Sequence, residues 1–282
     1  MLASLAAVAP HAAVAVDPPA VTVSAGGCTA ALLPANTSCA SAARRFFRAA
    51  AAGVGLPEEA LYDGSVMASE LAANSLHARG SVEFAALGAA EAGHPEIWLY
   101  LRQVAGEQEL VCKVFDALPG WRGGRRPDVA AQVPVDAVSG RGLHVIHGLS
   151  HGRWGHHLSR ARLGAWKMPG KAVWFALPVH RSMALDRFRQ PQPGSLQAAS
   201  TLEGMLTDRG IGHIVRADAA ASGMSVLSIR RDLTVWCRSR VVSWTTRTGY
   251  RECRTFCDLV DAAEQIVCAH EELARADAAQ AR

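Results

Sequence analysis

Ser69-Glu70-Leu71-Ala72-Ala73-Asn74-Ser75-Leu76-His77 decides how the first half of the chain is read. It belongs to a run that opens at Pro57-Glu58-Glu59, where a fixed φ and two carboxylates suit a first helical turn, and that closes before Gly80. The run predicts a helix over about residues 57–78. On a helix Glu70 and Asn74 stand at i and i+4, so a carboxylate and a carboxamide project from one face. The amide oxygen suits a hard cation such as Mg²⁺, and the carboxylate suits holding a water or accepting a hydroxyl proton. An ordinary amphipathic helix carries the same pattern, so the segment gains meaning only from its neighbours.

Upstream, residues 28–34 (CTAALLP) read as a short strand. Ser38 or Ser41 caps a helix through Ala43-Arg44-Arg45-Phe46 to about Ala52, broken at Gly53-Val54-Gly55. Downstream, the apolar runs Glu96–Arg102 and Glu109–Phe115 flank Ala105-Gly106-Glu107 and read as a hairpin. Asp116 ends the second run just before Pro119-Gly120. A carboxylate there starts a turn, or accepts a hydrogen bond from an amino group such as that of adenine. Residues 119–139 are rich in Gly, Arg and Pro and read as a loop long enough to be a lid. Gly140-Arg141-Gly142-Leu143 then opens a helix to about Leu149. Glycines let backbone N–H groups approach phosphate oxygens, and a helix N-terminus favours an anion. Trp154-Gly155-His156-His157 reads as a surface loop whose adjacent histidines point different ways. Ala172–Leu177 reads as a strand closed by Pro178.

Taken in order, these segments resemble the GHKL superfamily, the ATPase fold of gyrase, histidine kinases and their relatives. Glu70-Leu71-x-x-Asn74 resembles its N box, Asp116 with Gly120 its first glycine box, and Gly140-x-Gly142-Leu143 its second. Lys171–Pro178 resembles its closing strand, and Ala43-Arg44-Arg45-Phe46 resembles the first helix of the anti-sigma-factor serine kinases. The resemblance implies an α/β chain: an α+β two-layer sandwich of the Bergerat type, binding ATP and Mg²⁺. It implies Asn74 as the metal ligand, Glu70 as the catalytic base, and Asp116, Gly120, Gly140, Arg141, Gly142 and Leu143 around the nucleotide. The implied activity is a serine/threonine protein kinase that phosphorylates or sequesters a sigma factor or an anti-anti-sigma-like regulator; the alternative is a non-catalytic ATP-responsive switch. The chain departs from the pattern at Leu118, where the first glycine of DxGxG stands, and at Ala172, in place of an adenine-contacting threonine.

The remainder reads as a second unit. Residues 1–27 are expected to be a flexible tail, 28–178 the nucleotide-binding domain, 179–197 a linker, 198–275 a small α+β accessory module and 276–282 a tail. A helix is expected over 198–209, strands at 225–229, 233–237 and 241–245, and a last helix from Phe256 to Ala274. A charge of +4 falls short of a nucleic-acid-binding surface, and no uninterrupted apolar run of membrane-spanning length exists. The expectation is therefore a cytoplasmic protein with a protein partner, without direct nucleic-acid or membrane contact, and compatible with a homodimer. Seven irregularly spaced cysteines read as free thiols.

Overall fold

The computed structural model describes residues 23, 27–79, 94–117, 142–164, 167–179 and 193–281. The lid segment 119–139, most of the 1–27 tail and of the 179–197 linker, and the positions Leu118, Gly120, Gly140 and Arg141 lie outside them.

The first unit is built from strands β1 (Cys28–Leu32), β2 (Glu96–Val104), β3 (Glu107–Asp116), β4 (Trp154–Arg160) and β5 (Pro169–Val179), with helices α1 (Cys39–Ala51), α2 (Glu58–Arg79) and α3 (Gly142–Leu149). Its sheet runs β1-β2-β3-β5-β4 and every pairing is antiparallel. The β2–β3 hairpin turns at Ala105-Gly106, both with positive φ, as a two-residue connection that follows the strand twist requires. Alternation along the strands sets two faces. Ile97, Leu99, Leu110, Cys112, Val114, Val173, Phe175 and Leu177 join Phe47, Met67, Leu71 and Ile146 in one apolar core under α1–α3. At Gly64 a β-carbon would stand 2.2 Å from the Phe47 ring and 2.9 Å from a Leu177 methyl, so only glycine lets α1, α2 and the sheet close to this distance.

The other face of that sheet is also buried, which is why β2 and β3 read as continuous apolar runs rather than alternating ones. It is covered by the second unit: α4 (Ser195–Asp208), strands β6 (Val215–Ala219), β7 (Met224–Arg230), β8 (Leu233–Arg238), β9 (Val241–Thr245) and β10 (Arg251–Thr255), and α5 (Leu259–Gln280). Its sheet is β10-β9-β8-β7-β6, antiparallel throughout. The layers therefore run helix, sheet, helix, sheet. Helix α5 lies between the sheets and is buried on two stripes. Leu259, Ala262, Ala263, Ile266 and Val267 enter the second unit's core with Leu202, Leu227, Val235 and Trp244. Val260 packs with Tyr100, Val111 and Ala176 of the first sheet.

Beside Val260 the seam is ionic. Glu264 of α5 is fully buried and meets Lys113 at 3.5 Å, Arg162 at 2.9 Å and Arg209. Asp261 accepts a hydrogen bond from the Tyr100 hydroxyl at 2.8 Å and another from Arg254 at 2.7 Å. Arg209 and Arg162 also stack on Trp98, with ring-centroid distances of 4.6 and 5.6 Å. Such a charge set, once buried, holds only while each member keeps its partner. The cations around it hold the Glu264 carboxyl well below the usual range despite its burial.

Residues 154–157 are not the surface loop expected from sequence. They begin strand β4, and His157 is turned in against Lys113, whose Nζ donates to His157 Nε2 at 2.9 Å. The ring's Nδ1–H donates to the Leu158 carbonyl at 2.8 Å. Strands β6 and β10, also not expected from sequence, are short edge strands with mostly exposed side chains.

Burial and the adjacent ammonium push His157 down from 6.5 to about 3. A depressed folded value means its contribution is complete above pH 6.5 and is lost as pH falls toward 3. A single such group gives a slope of about 1.4 kcal/mol per pH unit in that window. His157→Gln keeps an acceptor for Lys113 and cannot titrate. Urea midpoints measured from pH 7 to pH 4 are expected to fall less steeply for the variant than for the wild type.

Candidate functional site

Helix α2 carries Glu70 and Asn74 one turn apart, both partly exposed. Helix α3, which packs on α2, begins at Gly142. A β-carbon on Gly142 would lie 3.0 Å from Glu70 Oε2, 3.1 Å from Asn74 Nδ2 and 3.5 Å from Asn74 Oδ1. The two polar groups of α2 thus converge on the first residue of α3, where backbone N–H groups have no intrahelical partner. Leu143 is buried beneath them in the core that anchors α3. A carboxylate, a carboxamide and a helix N-terminus meet in one place, from segments far apart in sequence.

Asp116 lies at the same end of the sandwich. Gly64 is level with Leu177, whose strand partner is Leu110. From Gly64 to Asn74 a helix advances about 15 Å, and from Leu110 to Asp116 a strand advances about 20 Å. A second path gives the same polarity. Leu33 N–H donates to the Pro95 carbonyl, Glu96 pairs with Phe115, and the Cys39 thiol at the start of α1 contacts the Ala72 carbonyl. By strand alternation Asp116 shares the face of Cys112 and Val114, the one α1–α3 cover.

The Asp116 carboxylate is not an isolated acceptor. Lys171 is its cross-strand neighbour on β5, and Lys171 Nζ lies 2.9 Å from both carboxylate oxygens. The two side chains are only 8% and 6% exposed. Ala172, expected in place of a base-contacting threonine, faces the opposite way, with Trp98 and Phe115. Sequence reasoning missed Lys171. The register that places a lysine across from the terminal aspartate was the available signal, once β3 and β5 are taken as neighbours.

On the sheet's other face Glu96 is similarly committed. Its carboxylate accepts from Trp98 Nε1 at 2.9 Å and from the backbone N–H groups of Arg162, Leu163 and Gly164 at 2.8–3.1 Å. It fixes the turn that delivers Arg162 to Glu264, a structural task.

Among the described residues no trio of His, Cys, Asp or Glu side chains is arranged to hold a metal. Mg²⁺ commonly keeps several waters and takes one or two protein oxygens together with phosphates. Asn74 Oδ1 and the neighbouring Glu70, around a space that a single β-carbon would fill, fit that demand. Among the described residues, no helix is long and apolar enough to cross a membrane. No protein-family model matches the chain, and no curated protein matches it in sequence.

Two substitutions probe this arrangement. Gly142→Val forces the ends of Glu70 and Asn74 aside; the chain is expected to remain folded by circular dichroism while the space between α2 and α3 is lost to any ligand. Lys171→Met leaves the Asp116 carboxylate buried without its ammonium and is expected to cost about 3–5 kcal/mol in chemical denaturation. The double variant Lys171→Met/Asp116→Leu should recover most of that loss.

Proposed function

We propose that the first unit is a nucleotide-binding domain of the Bergerat type, taking ATP with Mg²⁺, and that the protein acts as a serine/threonine protein kinase on a regulatory protein. The observation that carries this reading is the meeting of Glu70 and Asn74 with Gly142. Residues that resemble two separate boxes of one family, Glu70 with Asn74 and Gly142, are neighbours in space on one side of an α+β sandwich.

In this reading Asn74 Oδ1 is the protein's oxygen for Mg²⁺, and the N–H groups at the start of α3, with Gly140 and Arg141 before it, meet the phosphates. The cation supplies charge neutralisation on the phosphates. Glu70 accepts the proton of the incoming serine or threonine hydroxyl, and α2 fixes it one turn from the metal ligand. Phosphoryl transfer rests mainly on positioning and electrostatic stabilisation, so few reactive side chains suffice. Asp116 receives the adenine amino group.

One observation favours a second reading, the ATP-responsive switch. Both oxygens of Asp116 are already held by Lys171. A base reaching Asp116 must use the remaining lone pairs or displace the ammonium, which weakens ground-state affinity and couples occupancy to strand β5. That suits a sensor.

Calorimetry with Mg-ATP is expected to show binding that Asn74→Ala largely abolishes; absence of binding by the wild type at millimolar ATP would sink both readings. Glu70→Ala is expected to leave affinity nearly unchanged and to slow transfer to a protein substrate by about 10²–10⁴-fold, the usual contribution of a base. Binding by both proteins with transfer by neither leaves the switch in place of the kinase.

A further inference from the structure

The second sheet has an outer face that no described element covers. Helices α4 and α5 pack on its inner side, through Leu227, Val235, Cys237, Val242 and Trp244. Strand register assigns the outer positions. Ala217, Val226, Trp236, Ser243 and Cys253 form one row across all five strands, and Ala219, Met224, Arg238, Val241 and Thr255 form the next. Trp236 is 42% exposed and Val215, on the β6 edge, 67%. A tryptophan left in water at the middle of a sheet face is the residue type most enriched at interface centres.

The face is also one-sided in charge. Between strands β7 and β10 it holds a cleft of about 380 Å³, lined by Met224, Trp236, Arg238, Val241, Ser243 and Arg251. Among the described residues no carboxylate lines it. The acids of the edge strands point away: Asp218 pairs with Arg216 and Glu252 with Arg254. Arg251 donates to Ser243 Oγ at 2.9 Å, which holds its guanidinium over the cleft.

We propose that this face docks an acidic segment of a protein partner, with an apolar side chain seated on Trp236 and carboxylates against Arg238 and Arg251. Charge decides between occupants. A second copy of the chain related by a two-fold axis brings the same arginines toward one another, with no carboxylate among the described residues of the face to answer them. A single-stranded nucleic acid uses successive aromatic platforms, and Trp236 is the one aromatic in the two central rows. An acidic segment satisfies both the cations and the exposed indole. The inference is independent of the nucleotide reading, since the cleft lies on the second sheet and the Glu70–Asn74–Gly142 site on helices packed against the first.

The test uses the full-length chain and labelled synthetic peptides: an Asp/Glu-rich peptide with a central Leu-Phe, its Lys-substituted counterpart, and an oligouridylate. Fluorescence anisotropy is expected to show saturable binding of the acidic peptide alone, weakening as salt is raised. Arg238→Glu/Arg251→Glu should lower that affinity by about tenfold or more, as reversal of rim charges does. Trp236→Ala should lower it independently. Both changes sit on an open surface, so thermal melts should match the wild type. The proposal is overturned if the acidic peptide does not bind, if it binds the double variant as well as the wild type, or if the oligouridylate binds more tightly.

Discussion

The carboxylate of Glu264 is the constraint around which the two halves are arranged. It is fully buried between the sheets and is met by cations from three places: Lys113 on β3, Arg162 after β4, and Arg209 at the end of α4. Leaving any one of these charges alone in that interior costs several kcal/mol, whereas the assembled set largely offsets its own desolvation. The ionic seam therefore adds little to overall stability but fixes one arrangement of the halves. A sliding or rotated docking would separate at least one cation from Glu264, and the flanking apolar contacts of Val260 with Tyr100 and Val111 impose no comparable register.

That seam shows how a sheet with a candidate ligand site on one face can communicate with a module on the other. Cys112 and Val114 point into the core under α2, while Val111, Lys113 and Phe115 between and beside them point toward α5. A shift of β3 at Asp116 moves both sets together, because neighbouring residues on a strand cannot move apart. The Lys171–Asp116 pair stands at the end of that strand, so whatever perturbs the pair acts on the element that also carries Lys113. A ligand works through such a connection only to the extent that it binds the two arrangements unequally.

The helices, the β2–β3 hairpin and the closing strand were legible because their signals are local: Pro57 with two acids, Ala105-Gly106 between apolar runs, Pro178 after β5. The Glu70/Asn74 pair was legible because helical spacing alone puts them on one face. Their approach to Gly142 rests on tertiary packing of α3 against α2, which no local pattern encodes. Strand β4 was missed because WGHHLSR has weak β signals, and its histidine is held by a lysine more than forty residues away in sequence. The edge strands β6 and β10 were missed for a different reason: with little to bury, they show no apolar period. Lys113, within the apolar stretch Leu110–Phe115, marks a buried polar seam rather than an exposed face.

Helix α5 carries two stripes with two different duties, the apolar one for the second sheet and the one through Val260, Asp261, Glu264 and Glu271 for the first. Such a helix has a reading frame. Inserting or deleting one residue near its start turns everything beyond by about 100°, which carries Glu264 toward an apolar core and an aliphatic side chain toward three cations. Volume-conserving substitutions within the apolar stripe can be absorbed by one sheet alone. A change of length cannot, because it displaces both stripes at once.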